Sequence, residues 1–277
     1  MKSAPFDYIR PNSIAEASAA LIEGGLTAAA IAGGQSLLPM LNLRVAVVDR
    51  LVDISRLEEL KVVTKNSTGL RIGALVNHAA IEDGSVPDLF GGLMRCVSRR
   101  ISYRSVRHFG TIGGSVALAD PAADWPGCLM LLRAHVLVGG PNDTRSQPID
   151  EFIRGAYSTT LKSGEIILGF DIPQPDAPLH WGFAKVVRKS GAFANSIAFV
   201  ARRGRDGPYT AVLGAAGPRA LVLAQTANTL RAGGLSEEAL RATITAELRT
   251  VLPGLDGYEN RLHCATLLRA VRNMQVQ

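Results

Sequence analysis

Two glycine-rich segments carry the chemistry most legible in this sequence: Ala32-Gly33-Gly34-Gln35-Ser36-Leu37 and Gly110-Thr111-Ile112-Gly113-Gly114-Ser115. Paired glycines lack the Cβ atoms that keep a ligand off the backbone, and they reach dihedrals that turn successive N–H groups inward as an anion nest. A diphosphate suits such a pair. Ser36, Thr111 and Ser115 add hydroxyl donors where phosphate oxygens or a ribityl chain would lie. Taken singly, each Gly-Gly pair is more often an ordinary turn, so the weight falls on the two together.

Other constellations are weak. His78, His108, His135, His180 and His263 are scattered with no H-E-x-x-H, and Cys96, Cys128 and Cys264 form no C-x-x-C pair. A zinc knuckle, an iron–sulfur cluster and a disulfide framework are therefore not expected in this chain. It has no G-x-S-x-G elbow, no P-loop and no G-x-G-x-x-G, so hydrolase, P-loop and Rossmann readings lack their motifs. No residue stands out as a general base or nucleophile, and no metal site is expected. Trp125 and Trp181 read as packing residues. Arg95, Arg99, Arg100, Arg104 and Arg107 form the one basic concentration, which reads first as a solvated or interface-facing surface and second as a nucleic-acid footprint.

The chain that must position these groups has 277 residues, enough for one large domain or two modest ones. It is 47% hydrophobic and 19% charged, with mean hydropathy +0.15, a composition that excludes intrinsic disorder. A net charge of +6 and a pI near 9.5 favour anionic partners without choosing among them. No apolar run is long enough for a membrane span; the stretch from Ala15 to Ala32 is broken by Glu23-Gly24-Gly25. The segment Met1 to Asp7 lacks the apolar region of a secretory signal, which places the chain in the cytoplasm.

Ser13-Ile14-Ala15-Glu16 has capping-box spacing, and Ile14, Ala17, Leu21 and Ile22 share one face of a helix stopped by Gly24-Gly25. Strands are predicted at Ala28 to Ala32 and Val47 to Ile54, making a small βαβ unit. A second block starts at Leu70 to Leu75. Asn77 caps a helix over His78 to Ile81, a longer helix covers Pro87 to Arg100, and Asp120-Pro121 starts one running to Leu132. Strands follow at Val136 to Val138 and Ile166 to Ile172, with a turn at Pro141-Asn142-Asp143 between them. Pro173, Pro175 and Pro178 mark a domain boundary. Beyond it, Phe183 to Arg188, Ile197 to Arg202 and Tyr209 to Gly214 form an antiparallel meander, the last two strands joined at Gly204-Arg205-Asp206-Gly207. Helices are predicted at Arg219 to Arg231, Ser236 to Leu252 and Tyr258 to Asn273.

The order Ala32 to Pro39, Asn42-Leu43-Arg44, Leu51 to Ile54, Gly110 to Ser115 and Asp120-Pro121-Ala122-Ala123-Asp124 closely resembles the FAD-binding medium subunit of the molybdenum hydroxylases, the carbon monoxide dehydrogenase and xanthine dehydrogenase family. Tyr157, Glu165 to Pro173, Lys185 to Lys189 and Ser190-Gly191-Ala192-Phe193 extend the likeness over nearly the whole chain. The resemblance implies an α+β architecture. Residues 1–175 would form the two-subdomain FAD-binding fold of the vanillyl-alcohol oxidase (PCMH) type, with subdomains of about 1–56 and 57–175. Residues 176–277 would form a C-terminal domain with a three-stranded antiparallel sheet and helices.

It also implies site residues. Ala32, Gly33, Gly34, Gln35, Ser36 and Leu37 would wrap the diphosphate of FAD, and Thr111, Gly113, Gly114 and Ser115 would approach it from the other subdomain. Asp124 matches an acid that contacts FAD, Ile101 and Ile167 fall where the flavin is packed, and Lys185 matches a lysine near the cofactor. Read without the family, Asp124 is a first-turn helix acid, both isoleucines are core and Lys185 is a strand-edge lysine. Phe193 stands where relatives often place a Tyr, so its hydroxyl is absent while stacking survives. The stretch Ile101 to Arg107 replaces a more usual His-Pro-Gln-containing one.

The expected role is electron transfer through FAD, from two [2Fe–2S] clusters on a small subunit to an external acceptor. A large subunit would carry the molybdenum cofactor, in a dimer of heterotrimers. The organic substrate would belong to the large subunit, and the acceptor would be oxygen, NAD or a quinone. Two rivals are a stand-alone flavin oxidase, for which the C-terminal part is small, and a basic nucleic-acid-binding or scaffold protein.

Overall fold

In the computed structural model, which describes residues 2–141, 143–233 and 236–275, Ser13 caps the helix Ile14–Glu23, its Oγ accepting from the Glu16 N–H at 3.2 Å. The reciprocal half of the capping box differs: Glu16 Oε2 accepts from the Asn12 N–H at 2.8 Å, one residue earlier than expected. Ala17 and Leu21 are buried and Gly24 closes the helix, but Ile22, expected on the same face, is 45% exposed. It sits at the edge of the apolar stripe, a step of 100° past Leu21, and lies over Gly164.

Three parallel strands follow from this start, in the order Asp7–Ile9, Arg50–Asp53, Ala28–Ile31. The predicted strands are present but shorter. Val45 and Val47 are exposed, so the second strand begins at Arg50 and not at Val47. Asp7–Ile9, three residues without alternation, and the short helix Leu37–Asn42 were not anticipated.

A five-stranded antiparallel sheet runs in the order Val63–Lys65, Gly69–Gly73, Ile166–Pro173, His135–Gly139, Thr144–Pro148. The strand latest in sequence takes the centre. The turn predicted at Pro141-Asn142-Asp143 includes Asn142, which lies outside the described residues; Thr144–Pro148 is a strand too polar to read in advance.

Helix limits in this region also differ from expectation. Gly91 and Gly92 at φ +60° and +82° hold the chain out of helix, so only Leu93–Arg99 forms. Asp120 does not begin a helix; its Oδ1 accepts from the Ala122 N–H at 2.8 Å in a turn, and the helix is Asp124–Leu131. Asn77 caps His78–Asp83 as predicted, its Oδ1 accepting from the Ala80 N–H at 2.8 Å.

The third sheet is antiparallel, Leu179–Val187, Ala194–Arg203, Tyr209–Gly214, and it gains a fourth short strand, Leu221–Val222. That strand takes the first residues of the helix expected from Arg219, which runs Ala224–Ala232. The last helices are Glu237–Val251, capped by Ser236, and Gly257–Gln275. Alternation along Ala194–Arg203 divides the sheet between two cores. Ile197 and Phe199 join Trp125, Phe170 and Ile72 on one face; Ala198 and Val200 join Leu248, Leu267 and Val271 on the other. Gly182 makes the second packing possible, since a Cβ there would lie 1.8 Å from the Ala270 carbonyl oxygen. Among the described residues no helix is long and apolar enough to cross a membrane.

Candidate functional site

The first glycine segment leaves the end of the parallel strand Ala28–Ile31 and turns at Gly34, whose φ of +69° is one that a residue with a Cβ seldom adopts. The Leu38 N–H then bonds the Gly34 carbonyl at 3.1 Å and the chain enters the short helix. The second segment is docked on residues 74–78, which follow Gly69–Gly73. Gly113 N–H donates to Ala74 O at 2.9 Å, Ile112 N–H to Val76 O at 3.0 Å and His78 N–H to Gly110 O at 2.9 Å. Each segment is thus carried by a different sheet.

Two of the four paired glycines serve a purpose other than ligand approach. A Cβ on Gly33 would lie 1.8 Å from the Phe109 carbonyl oxygen, and one on Gly113 would lie 2.5 Å from the Ala74 Cβ. Their cradles are filled by the protein's own chain: Gly33 lets the first segment meet Phe109-Gly110 at the start of the second, and Gly113 lets the second dock on Ala74. Nor is the second segment an open nest: Gly113 and Gly114 lie in the first turn of the helix Ile112–Leu118, where Thr111 Oγ1 accepts from the Gly114 N–H at 3.0 Å.

Between the segments runs a cleft of about 730 Å³, within the usual range for cofactor pockets of roughly 300–1,000 Å³. All fifteen residues expected at a cofactor line it: Ala32 to Leu37, Ile101, Thr111, Gly113, Gly114, Ser115, Asp124, Ile167, Lys185 and Phe193. Phe193 stands 59% exposed at this wall. The loop before it is held from the other side, since Tyr103 Oη donates to the Ser190 carbonyl at 3.0 Å and its ring covers Gly191.

Asp124 and Lys185 form a closed ion pair, Nζ to Oδ2 at 2.8 Å, with side chains only 5% and 4% exposed. Lys185 donates also to the Arg100 carbonyl at 3.1 Å. Asp124 Oδ1 is sealed and has no partner among the described residues. Burial raises the Asp124 carboxyl to about 6, against the pull of the Lys185 charge. Nearby, burial and the Asp124 charge push the Cys128 thiol up, so it is an inert core thiol.

Some residues fall outside the site. Arg104 and Arg107, from the basic concentration, are tied to Glu82 at 2.6 and 2.8 Å, and Arg104 also holds Asp83. Their charge is spent within the protein, which weakens the nucleic-acid reading. Trp125 and Trp181 are buried, as expected of packing residues.

His78, in the sequence only one of five scattered histidines, lines the cleft as well. Its Nδ1 accepts from Trp125 Nε1 at 3.0 Å, and burial, with the Arg107 charge added, takes it down to about 4. No local pattern marks this histidine out from the other four; the partner indole is 47 residues away. Asp120 and Tyr157 also reach the cleft, Tyr157 Oη donating to Asp120 Oδ2 at 3.2 Å.

Residues 4–175 match the family described as the FAD binding domain in molybdopterin dehydrogenase. The chain belongs to that family. It is a flavoprotein-type component of an oxidoreductase. Among relatives, the glyceraldehyde dehydrogenase medium chain of Sulfolobus acidocaldarius is 36% identical over 189 residues, 68% of this chain and 66% of its own length. The carbon monoxide dehydrogenase medium chain of Hydrogenophaga pseudoflava is 34% identical over 191 residues, 69% of this chain and 67% of that one. The matched region therefore spans about two thirds of these curated relatives. In three dimensions the likeness is complete: a chain of carbon monoxide dehydrogenase from Hydrogenophaga pseudoflava superposes with TM-score 0.92 at 29% identity, covering 100% of this chain and 99% of that one. Quinoline 2-oxidoreductase from Pseudomonas putida 86 gives 0.88 at 28% identity with the same coverage.

FAD, the family's cofactor, fits the donor set of the cleft. Ser36 and Ser115 line it with hydroxyls that have no side-chain partner among the described residues, donors of the kind that phosphate or ribityl oxygens accept from.

Proposed function

We propose that this chain holds FAD extended along the cleft and serves as the electron-transfer subunit of a molybdenum-containing hydroxylase or dehydrogenase. Its electrons would come from [2Fe–2S] clusters on a small subunit and leave to an external acceptor, with the molybdenum cofactor and the organic substrate on a large subunit. A cytoplasmic dimer of such heterotrimers is part of the reading, as is a division of the chain into residues 1–175, with subdomains of about 1–56 and 57–175, and 176–277. The supporting observation is the convergence of fifteen residues, drawn from positions 32 to 193, on one cleft between two glycine segments.

In this reading Ala32 to Leu37, with Thr111, Gly113, Gly114 and Ser115, bind the diphosphate, with Ser36 and Ser115 donating their hydroxyls. Asp124, whose Oδ1 is sealed, would accept from a sugar-chain hydroxyl once the side chains over that oxygen give way, while Oδ2 stays on Lys185. Ile101 and Ile167 exclude water from the ring, and Phe193 offers it an exposed aromatic face. When bound, FAD supplies a store for two electrons that can be exchanged singly. The chain contributes binding, orientation and charge; no general base is called for.

The test is an absorption spectrum of the purified chain, then heat release and identification of the nucleotide. FAD at about one equivalent per chain, lost in the Gly33→Val and Gly113→Val variants, supports the reading. A colourless chain that refuses added FAD overturns it, as does a coloured monomer that oxidises a small organic substrate unaided.

A further inference from the structure

We propose that His78 is a further ligand of the cofactor, donating one hydrogen bond from Nε2 to the diphosphate where the two glycine segments meet. The inference rests on the FAD reading above. Its starting point is the Trp125 indole, a group that can only donate, placed 3.0 Å from His78 Nδ1. That contact requires the lone pair on Nδ1 and puts the ring proton on Nε2. The tautomer is therefore fixed by packing before any ligand arrives.

Nε2–H has no acceptor among the described residues, although His78 is only 5% exposed. It is not among the atoms sealed without a partner, so it reaches open space, and the open space at His78 is the cleft. The backbone is pinned on both sides, its N–H on the Gly110 carbonyl at 2.9 Å and its carbonyl on Ser98 Oγ. A buried donor this firmly held and left unmatched calls for an acceptor from outside the chain.

Location selects which acceptor. A Cβ on Gly110 would lie 2.9 Å from both His78 Nε2 and Cδ2, so the Nε2 edge lies against Gly110. Gly110 Cα in turn lies 3.1 Å from the Cβ position of Gly33. The Nε2 edge thus sits at the junction of the two segments, beside the space proposed for the diphosphate. A neutral ring, which burial maintains down to a pH of about 4, gives a donor whose strength stays constant over the working range.

The experiment uses the full chain loaded with FAD. In ¹⁵N-histidine-labelled protein, His78 should show the Nε2-protonated tautomer before loading and a shifted Nε2 resonance after it. His78→Leu should weaken FAD binding by about tenfold, the loss of one hydrogen bond to a charged group, while His78→Gln, which keeps a donor near the Nε2 position, should stay within about threefold of the original. The ³¹P resonances of bound FAD should move in His78→Leu more than in His78→Gln. Should the leucine variant fail to fold, the tautomer and the Nε2 shift in the unaltered chain decide the matter. An Nδ1-protonated ring, or equal affinities with unmoved ³¹P signals, overturns this inference and leaves the FAD reading standing. Failure of the unaltered chain to retain FAD overturns both.

Discussion

Lys185 Nζ reaches Asp124 Oδ2 at 2.8 Å and joins the strand Leu179–Val187 to the first turn of the helix Asp124–Leu131, both side chains closed off from solvent. Removing one member of a buried pair leaves an uncompensated charge, which costs about 3–5 kcal/mol, whereas removing both costs far less. Lys185→Met should therefore destabilise the apoprotein by about 3 kcal/mol at pH 8, and Asp124→Asn with Lys185→Met should recover most of it. The loss should shrink at pH 5, where the carboxyl takes up a proton. Denaturant titrations at both pH values measure this; equal losses in the single and double variants would contradict it.

Stability should respond to pH with opposite slopes from two cleft residues. Asp124 is raised to about 6 by burial, so its favourable contribution is complete below the ordinary carboxylate value of 3.8 and is lost as pH rises through 6. His78 is lowered from 6.5 to about 4, so its contribution is complete above 6.5 and is lost as pH falls towards 4. His263, buried against Ser196, shares the sign of His78. Melting curves should show the Tm of Asp124→Asn gaining on the original chain as pH rises from 4 to 6. The Tm of His78→Gln should gain as pH falls over the same range. Parallel curves would rule the assignment out.

Gly33→Ala should lower stability by about 1–3 kcal/mol, because its Cβ meets the Phe109 carbonyl oxygen and one segment must move away from the other. FAD retention should fall with it. Gly254→Ala, which enters open space, should leave Tm and cofactor content unchanged. Full FAD content in Gly33→Ala would show that the two segments need not touch.

Tyr103→Phe tests the hold on the loop before Phe193. The lost bond to the Ser190 carbonyl, worth about 1 kcal/mol, should speed amide exchange over residues 188–193 by about fivefold without altering the global melt. Unchanged exchange there would mean that the ring over Gly191 holds the loop alone.

Much of this protein is written locally. Ser13, Asn77 and Ser236 cap helices through side-chain bonds to the third residue onward, so a window of four residues is enough to see them. The glycine segments and Asp124 are legible through the resemblance they carry, because backbone that must approach another surface closely tolerates few residue types. The misread limits have local causes too: Gly91 and Gly92 at positive φ cut a helix that apolar spacing alone extends to Pro87, and Thr144–Pro148 pairs through its backbone with a sequence too polar to announce a strand.

Only the tertiary structure could decide what those residues are for. Gly33 is needed by Phe109, and Gly113 by Ala74; Asp124 closes on a lysine 61 residues away, and Tyr103 on a carbonyl 87 residues away. His78 acquires its tautomer from an indole 47 residues distant and would otherwise be one of five scattered histidines. These relationships join residues from different sheets and helices, and no window of sequence contains both partners. Sequence spacing records what a residue does to its own turn of chain, whereas strand order and face-to-face packing determine which distant atoms meet, and the cleft is made of such meetings.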